Sequence, residues 1–264
     1  MTLGAAGDPP PVTRAALESI ATRAGEIALG YFRRVAPERK DDRSLVTQAD
    51  RDVEAYIAST LAATWPGVGI VGEEGTVREG SSGGGGSRFV IDPIDGTAGF
   101  VAGLPTWCIS IGLVHAGEAS AGVIHLPCTG ERYSAVAGAA WWNGAPLGPL
   151  DDAPPAAEPF VVAHSWAHRR HPVDRLGRLR SLGSAAYHTV LVARGAARAA
   201  LLGRVRVWDL AGAGAVLTAV GGRFELLDGG RLAIADLLDG QRAPGDVVAG
   251  SPAALADLRA QLVG

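Results

Sequence analysis

Arg88-Phe89-Val90-Ile91-Asp92-Pro93-Ile94-Asp95-Gly96-Thr97 decides how the chain is read, because a short strand runs straight into two carboxylates three residues apart on a tight turn. Hard divalent cations take oxygen ligands, and a turn can aim Asp92, the Ile94 carbonyl and Asp95 into one small volume. Gly96 and Thr97 then offer backbone N–H groups to a phosphate, and the dipole of any short helix starting there helps. Alone, the string is also an ordinary turn, since Asp, Pro and Gly are the commonest turn formers.

Three other segments accompany it. Val46-Thr47-Gln48-Ala49-Asp50 lies upstream, Val71-Gly72-Glu73-Glu74 ends an apolar strand, and Trp208-Asp209-Leu210-Ala211-Gly212-Ala213-Gly214 opens a helix followed by Gly221-Gly222. Together the four resemble the inositol monophosphatase family, lithium-sensitive Mg²⁺-dependent phosphatases that include fructose-1,6-bisphosphatase-like, histidinol-phosphate and 3′-phosphoadenosine-5′-phosphate enzymes. Motifs in this order and spacing are specific, and the resemblance covers nearly the whole chain. It implies a layered α+β fold, an αβαβα sandwich of the inositol monophosphatase and fructose-1,6-bisphosphatase type, with the metal site between two halves and a homodimeric assembly.

The resemblance also implies roles. Glu73, Asp92 and the Ile94 carbonyl hold a first Mg²⁺, Asp92, Asp95 and Asp209 hold a second, and Glu73 with waters holds a third. Thr97, oriented through Asp50, positions the nucleophilic water, so Asp50, Glu73 and Thr97 form the catalytic set. Gly96 and Thr97 receive the phosphate. Gly183, Ser184 and Ala185 match the segment that contacts substrate at a helix start, beside Asp95 and Asp209. Each residue has a plainer reading too: Asp50 and Asp209 as helix N-caps, Glu73 and Glu74 as a solvated strand end, Thr97 as a turn hydroxyl.

Two positions depart from the family pattern. The Glu that contacts ring hydroxyls shortly before the Trp-Asp pair falls here on Leu201 or Leu202, and the Asn two residues after Asp-Gly-Thr is Gly99. The chemistry is therefore better specified than the substrate.

At 264 residues the chain is long enough for one large or two small domains, and 47% hydrophobic residues supply a core. A formal charge of −3 without any Lys/Arg block argues against a nucleic-acid partner. No run of about 18 apolar residues is present and the first eleven residues lack a signal-peptide pattern, so the expected setting is cytoplasmic and off the membrane. Cys108 and Cys128 read as two buried, reduced thiols. His164 and His168 stand four apart, yet no companion ligand completes a zinc set. His164-Ser165 and Arg169-Arg170 fall where the family lines its substrate side, whereas Arg204 and Arg206 read as strand residues that are either solvated or anion-contacting.

The apolar pattern predicts helices over 14–33 and from Asp50 to Pro66-Gly67, then a mobile glycine-rich loop over 75–87. That loop is no Walker loop, because no Gly-Lys-Ser/Thr follows it. Strands at 108–115, 121–125 and 131–137 read as an antiparallel meander. The acidic, proline-rich stretch 150–159 suggests a boundary between an N-terminal half, 1–150, carrying Asp50, Glu73 and 92–97, and a C-terminal half, 151–264, carrying Asp209. There the expected elements are a strand at 160–163, helices at 172–179 and 184–193, strands at 199–202 and 205–207, and the Asp209 helix.

These readings converge on a phosphomonoesterase that uses two or three Mg²⁺ ions and metal-activated water on a small polyol or sugar phosphate such as inositol 1-phosphate. The alternatives are a histidinol-phosphate or 3′-phosphoadenosine-5′-phosphate phosphatase on the same fold, or a non-catalytic binding relative. The presence of all six of Asp50, Glu73, Asp92, Asp95, Thr97 and Asp209 argues against the last.

Overall fold

A computed structural model describes residues 8–40, 45–81, 86–151 and 159–263. Helix α1 (Arg14–Tyr31) leads through a two-stranded ribbon, β1 (Glu38–Arg39) and β2 (Leu45–Val46), into α2 (Gln48–Thr64). The hydroxyls of Thr13 and Thr47 cap the two helices. Then come β3 (Gly69–Gly72), β4 (Val77–Arg78), β5 (Arg88–Asp95), the single-turn α3 (Thr97–Val101), β6 (Cys108–His115), β7 (Glu118–Leu126), β8 (Glu131–Val136), β9 (Ala139–Trp142) and β10 (Ala145–Pro146). The remainder supplies β11 (Phe160–Ala163), β12 (Arg178–Arg180), α4 (Ala185–Ala193), β13 (Ala199–Gly203), α5 (Val207–Ala219), β14 (Arg223–Leu226), β15 (Val247–Gly250) and α6 (Pro252–Leu262).

An eight-stranded sheet runs β10-β9-β8-β7-β6-β5-β3-β4, and a five-stranded sheet runs β12-β11-β13-β15-β14. The expected meander is present as β6, β7 and β8, paired antiparallel. Alternation along β6 assigns its two faces. Ile109, Ile111 and Leu113 join Leu17, Ile57 and Leu61 of the two N-terminal helices, each of which contributes about 1.5–3 kcal/mol by burial. Cys108 and Val114 join the core of α4 and α5 on the other face, and that core continues into the five-stranded sheet. Helix α6 closes the far side of that second sheet through Leu255 and Leu258. The layers are therefore helix, sheet, helix, sheet, helix.

Small residues let the central layer approach. A Cβ on Gly112 would lie 2.4 Å from the Ala211 carbonyl carbon, and one on Gly122 would lie 2.3 Å from the Gly212 carbonyl oxygen. The glycines of β6 and β7 thus allow the backbone of α5 to rest on the sheet, which brings the N-terminus of α5 beside β5.

Several expectations are corrected. The acidic pair does not follow the strand; β5 itself continues through Asp95, with its register against β6 shifting between Asp92 and Asp95. The stretch 172–179 is no helix: only a 3₁₀ turn, Val173–Leu176, forms before Gly177 at φ 70° redirects the chain into β12. The stretch 205–207 is no strand, because Gly203 at φ 80° ends β13 and Val207 is already helical. Within the glycine-rich loop, Val77 and Arg78 pair with β3, while residues 82–85 lie outside the described residues, as do 152–158 of the acidic stretch. Cys108 is buried as expected, but Cys128 is only half-buried. No helix among the described residues is long and apolar enough to cross a membrane.

Candidate active site

The register shift in β5 and the third position of α5 bring Asp92, Asp95 and Asp209 together, with one carboxylate oxygen from each within 4.8 Å of the others. Asp92 is held locally, its Oδ1 accepting the Ile94 N–H at 3.0 Å. Asp209 Oδ2 accepts the Arg206 N–H at 2.6 Å, which ties the carboxylate to its helix start. Asp95 is held from across the site. Its Oδ2 accepts the Ser184 hydroxyl at 2.7 Å and the Ala186 N–H at 2.6 Å, and its Oδ1 accepts the Ala185 N–H at 3.3 Å.

Crowding three carboxylates into a desolvated space raises their pKa values. Burial, joined by the charges of Glu73, Asp95 and Asp209, lifts Asp92 well above the carboxylate range. Burial lifts Asp95 to about 6 against the pull of its Ser184, Ala186 and Ala185 donors. Asp209 rises to about 8 through burial and the Asp95 charge. A divalent cation reverses this balance, and three carboxylates with one oxygen each within 4.8 Å of the others form a donor set that could hold a hard divalent cation.

Glu73 follows the last residue of β3 and stands at the rim. Its Oε1 pairs with Lys40 Nζ at 3.0 Å, and the same ammonium reaches Glu74 at 2.6 Å. Burial pushes Glu74 up to about 7 even so, against the lowering effect of Lys40. Lys40 belongs to none of the four motifs, and its run of mixed charge gave no reason to single it out.

Thr97 opens α3, and Gly96 before it turns the chain at φ 99°. Phe100, buried and T-shaped against Trp107 at 4.9 Å, anchors a helix too short to stand alone. The Thr97 hydroxyl lies 3.4 Å from Asp50 Oδ1 and 3.1 Å from the Ile94 carbonyl. Asp50 is not the N-cap of α2. Thr47 is, and Asp50 Oδ2 accepts both the Thr47 N–H at 2.8 Å and its hydroxyl at 2.6 Å. Burial raises the Asp50 pKa despite those donors. Asp209 likewise stands inside α5 rather than at its cap.

A cavity of about 260 Å³ opens beside Asp95, bounded by His164, Trp166, Ser184, His188 and Leu202. Leu202 rather than Leu201 therefore faces this space; Leu201 packs into the outer core with Val161 and Leu255. Arg169 stacks over the exposed Trp166 ring at 4.0 Å, whereas Arg170 pairs with Asp246 at 3.1 Å. Gly183 and Ala185 line the same cavity. Arg204 is exposed and donates to the Ala243 carbonyl at 3.1 Å, and Arg206 bonds the Gly240 carbonyl with its guanidinium 5.5 Å from the Trp208 ring. Buried Gly99 sits in α3, where a Cβ would meet Thr106 Oγ1 at 3.4 Å.

The sequence pattern of the inositol monophosphatase family matches residues 8–263. Histidinol-phosphatase of Chlorobaculum parvum is 35% identical over 223 residues, spanning 80% of this chain and 84% of that protein. Inositol-1-monophosphatase of Bacillus subtilis is 31% identical over 201 residues, spanning 72% and 76%. The solved structure of a Thermotoga maritima IMPase superposes with a TM-score of 0.79 at 25% identity, covering 92% of this chain and 93% of that one.

Proposed function

Because the chain belongs to the inositol monophosphatase family of phosphoric monoester hydrolases, we propose that it is a Mg²⁺-dependent phosphomonoesterase whose cations are held by Glu73, Asp92, the Ile94 carbonyl, Asp95 and Asp209. The observation that carries this reading is the convergence of Asp92, Asp95 and Asp209 within 4.8 Å. When bound, the ions supply the positive charge that activates water and stabilises a departing alkoxide. The residues do the positioning. A Thr97 hydroxyl that donates inward to Asp50 leaves its lone pairs free to accept a hydrogen from the attacking water, fixing the water's direction. Asp50 cannot swing away, since Thr47 holds its second oxygen by two donors. Gly96 and Thr97 contribute first-turn N–H groups, which have no intrahelical acceptor, to the phosphate.

The alcohol half of the substrate fits the cavity beside Asp95, with Gly183, Ser184 and Ala185 along it. Small polyol or sugar phosphates, inositol 1-phosphate among them, are the first substrate class of this proposal. Histidinol phosphate is the second, favoured by the apolar Leu202 in that cavity and by the histidinol-phosphatase relative. A homodimer in the cytoplasm, inhibited by Li⁺, belongs to the same proposal. Phosphate release from a panel of polyol, sugar, histidinol and nucleotide phosphates, in Mg²⁺ and in excess EDTA, tests it. Turnover is expected only with Mg²⁺, and equal release in EDTA would overturn the metal reading.

A further inference from the structure

Glu54 is a buried carboxylate, 2% exposed, one helical turn beyond Asp50 on α2. Its Oε2 accepts the Glu74 N–H at 2.8 Å and its Oε1 accepts the Thr76 N–H at 3.0 Å. Both donors belong to the turn that follows β3 and presents Glu73. Charge-assisted bonds of this kind are about twice as strong as neutral ones.

The neighbouring residue is shaped to admit it. A Cβ on Gly72 would stand 2.4 Å from Glu54 Cδ and 2.5 and 2.6 Å from its oxygens. Gly72 does not adopt a positive φ, so its lack of a side chain is needed for space rather than for backbone conformation. On the opposite side, the Glu73 N–H bonds the Ile91 carbonyl at 3.1 Å, one residue before Asp92. The main chain of Glu73 is thus clamped between β5, which continues into the acidic pair, and the Glu54 carboxylate. Asp50 and Glu54 are four apart on one helix face, so a single rigid helix sets both the partner of Thr97 and the turn that carries Glu73.

We propose that Glu54 is a positioning residue for metal binding, fixing the backbone of the Glu73 turn so that the Glu73 carboxylate can reach a cation shared with Asp92. This rests on the reading of Glu73 as a metal ligand. Glu54→Gln keeps the shape but replaces one acceptor with a donor. Gly72→Ala keeps the carboxylate and pushes it off the turn. Both are expected to weaken metal binding by about 10–100-fold, the range for groups that orient ligands. The kcat at saturating Mg²⁺ is expected to stay within roughly threefold of the unsubstituted enzyme, because the loss falls on binding rather than on the chemical step.

The test is a Mn²⁺ titration of the full-length protein followed by electron paramagnetic resonance, on the unsubstituted chain, Glu54→Gln, Gly72→Ala and Glu73→Gln, with thermal melts alongside. A purely structural role lowers the melting temperature but leaves the Mn²⁺ half-saturation of folded molecules unchanged. Weakened Mn²⁺ binding in both Glu54→Gln and Gly72→Ala supports the proposal. If Glu54→Gln does not fold, Gly72→Ala carries the test. Mn²⁺ binding unchanged in these two while weakened in Glu73→Gln overturns the positioning role alone. Unchanged binding in Glu73→Gln overturns the ligand reading on which it rests.

Discussion

Ser184 donates its hydroxyl to Asp95 Oδ2 at 2.7 Å, joining the N-cap of a helix in the central layer to a carboxylate on the eight-stranded sheet. The N–H groups of Ala185 and Ala186 bond the same carboxylate, so Asp95 satisfies part of the first turn of α4 from outside that helix. Asp95 is therefore at once a candidate ligand and the pin that holds α4 against the site. Any change in its charge is felt at the helix start, where a negative group is favoured.

Ser184→Ala removes the hydroxyl from Asp95 and, at the same stroke, the cap on the Tyr187 N–H at 3.0 Å. The expected loss is about 0.5–2 kcal/mol of stability, the usual range for a cap. Urea unfolding in EDTA measures it. A value indistinguishable from zero would mean that the backbone donors alone hold Asp95.

Asp95→Asn and Asp209→Asn are each expected to cut turnover by at least about a hundredfold, since outright ligand loss exceeds the 10–100-fold effect of disturbing an orienting group. Circular dichroism of the variants should remain that of the folded protein. Full turnover in either variant, or in excess EDTA, would remove the metal assignment. Li⁺ should inhibit by occupying the cation site on the leaving-group side, as the family resemblance implies.

The pH dependence of stability has a definite sign when metal is withheld. Asp209 titrates near 3.8 in the unfolded chain and at about 8 when folded, and Glu74 moves from 4.5 to about 7. Between those values the native state holds more protons than the unfolded one, so stability falls as pH rises. His188, held at about 4 by burial, acts in the opposite sense below its ordinary 6.5. The cleanest window is therefore pH 6.5 to 8. In EDTA the melting temperature should drop across that window, and added Mg²⁺ should raise it more at pH 8 than at 6.5. A melting temperature in EDTA that climbs over the same interval would contradict the sign.

Much of this was legible because it is local. The Asp92 to Thr97 string, the Val46 to Asp50 segment and the helix after Trp208 each declare themselves within a few residues, although Asp50 lies inside α2 rather than at its cap, and β6 to β8 alternate as strands should. What escaped reading depends on contacts distant in sequence. Lys40 meets Glu73 across 33 positions, and nothing in its own neighbourhood marks it. Glu54 looks like any exposed helix charge until the turn after β3 folds over it. The expected helix over 172–179 fails for a reason present in the sequence but underweighted: Gly177 takes φ 70°, and the residues after it find a parallel partner in β11. The choice between Leu201 and Leu202 turned on strand phase, since neighbouring residues on β13 face opposite layers.

That phase supports the last prediction, which concerns substrate choice. Leu202 lies in the cavity beside Asp95, where a hydrogen-bonding side chain would discriminate strongly against ligands lacking a matching hydroxyl. An apolar side chain discriminates weakly, by only about 1–3 kcal/mol. Inositol 1-phosphate is therefore expected to be preferred by no more than about tenfold in kcat/KM over the best alternative phosphomonoester, equivalent to roughly 1.4 kcal/mol of transition-state binding. Leu202→Glu should raise the relative rate on inositol 1-phosphate, whereas Leu201→Glu should instead destabilise the outer core, where Leu201 is fully buried. Competition assays with paired substrates read the ratio directly. A preference of the unsubstituted enzyme for inositol 1-phosphate by about a hundredfold or more, roughly 2.7 kcal/mol, would show that His164, His188 or another group in the cavity supplies the discriminating contact in place of Leu202.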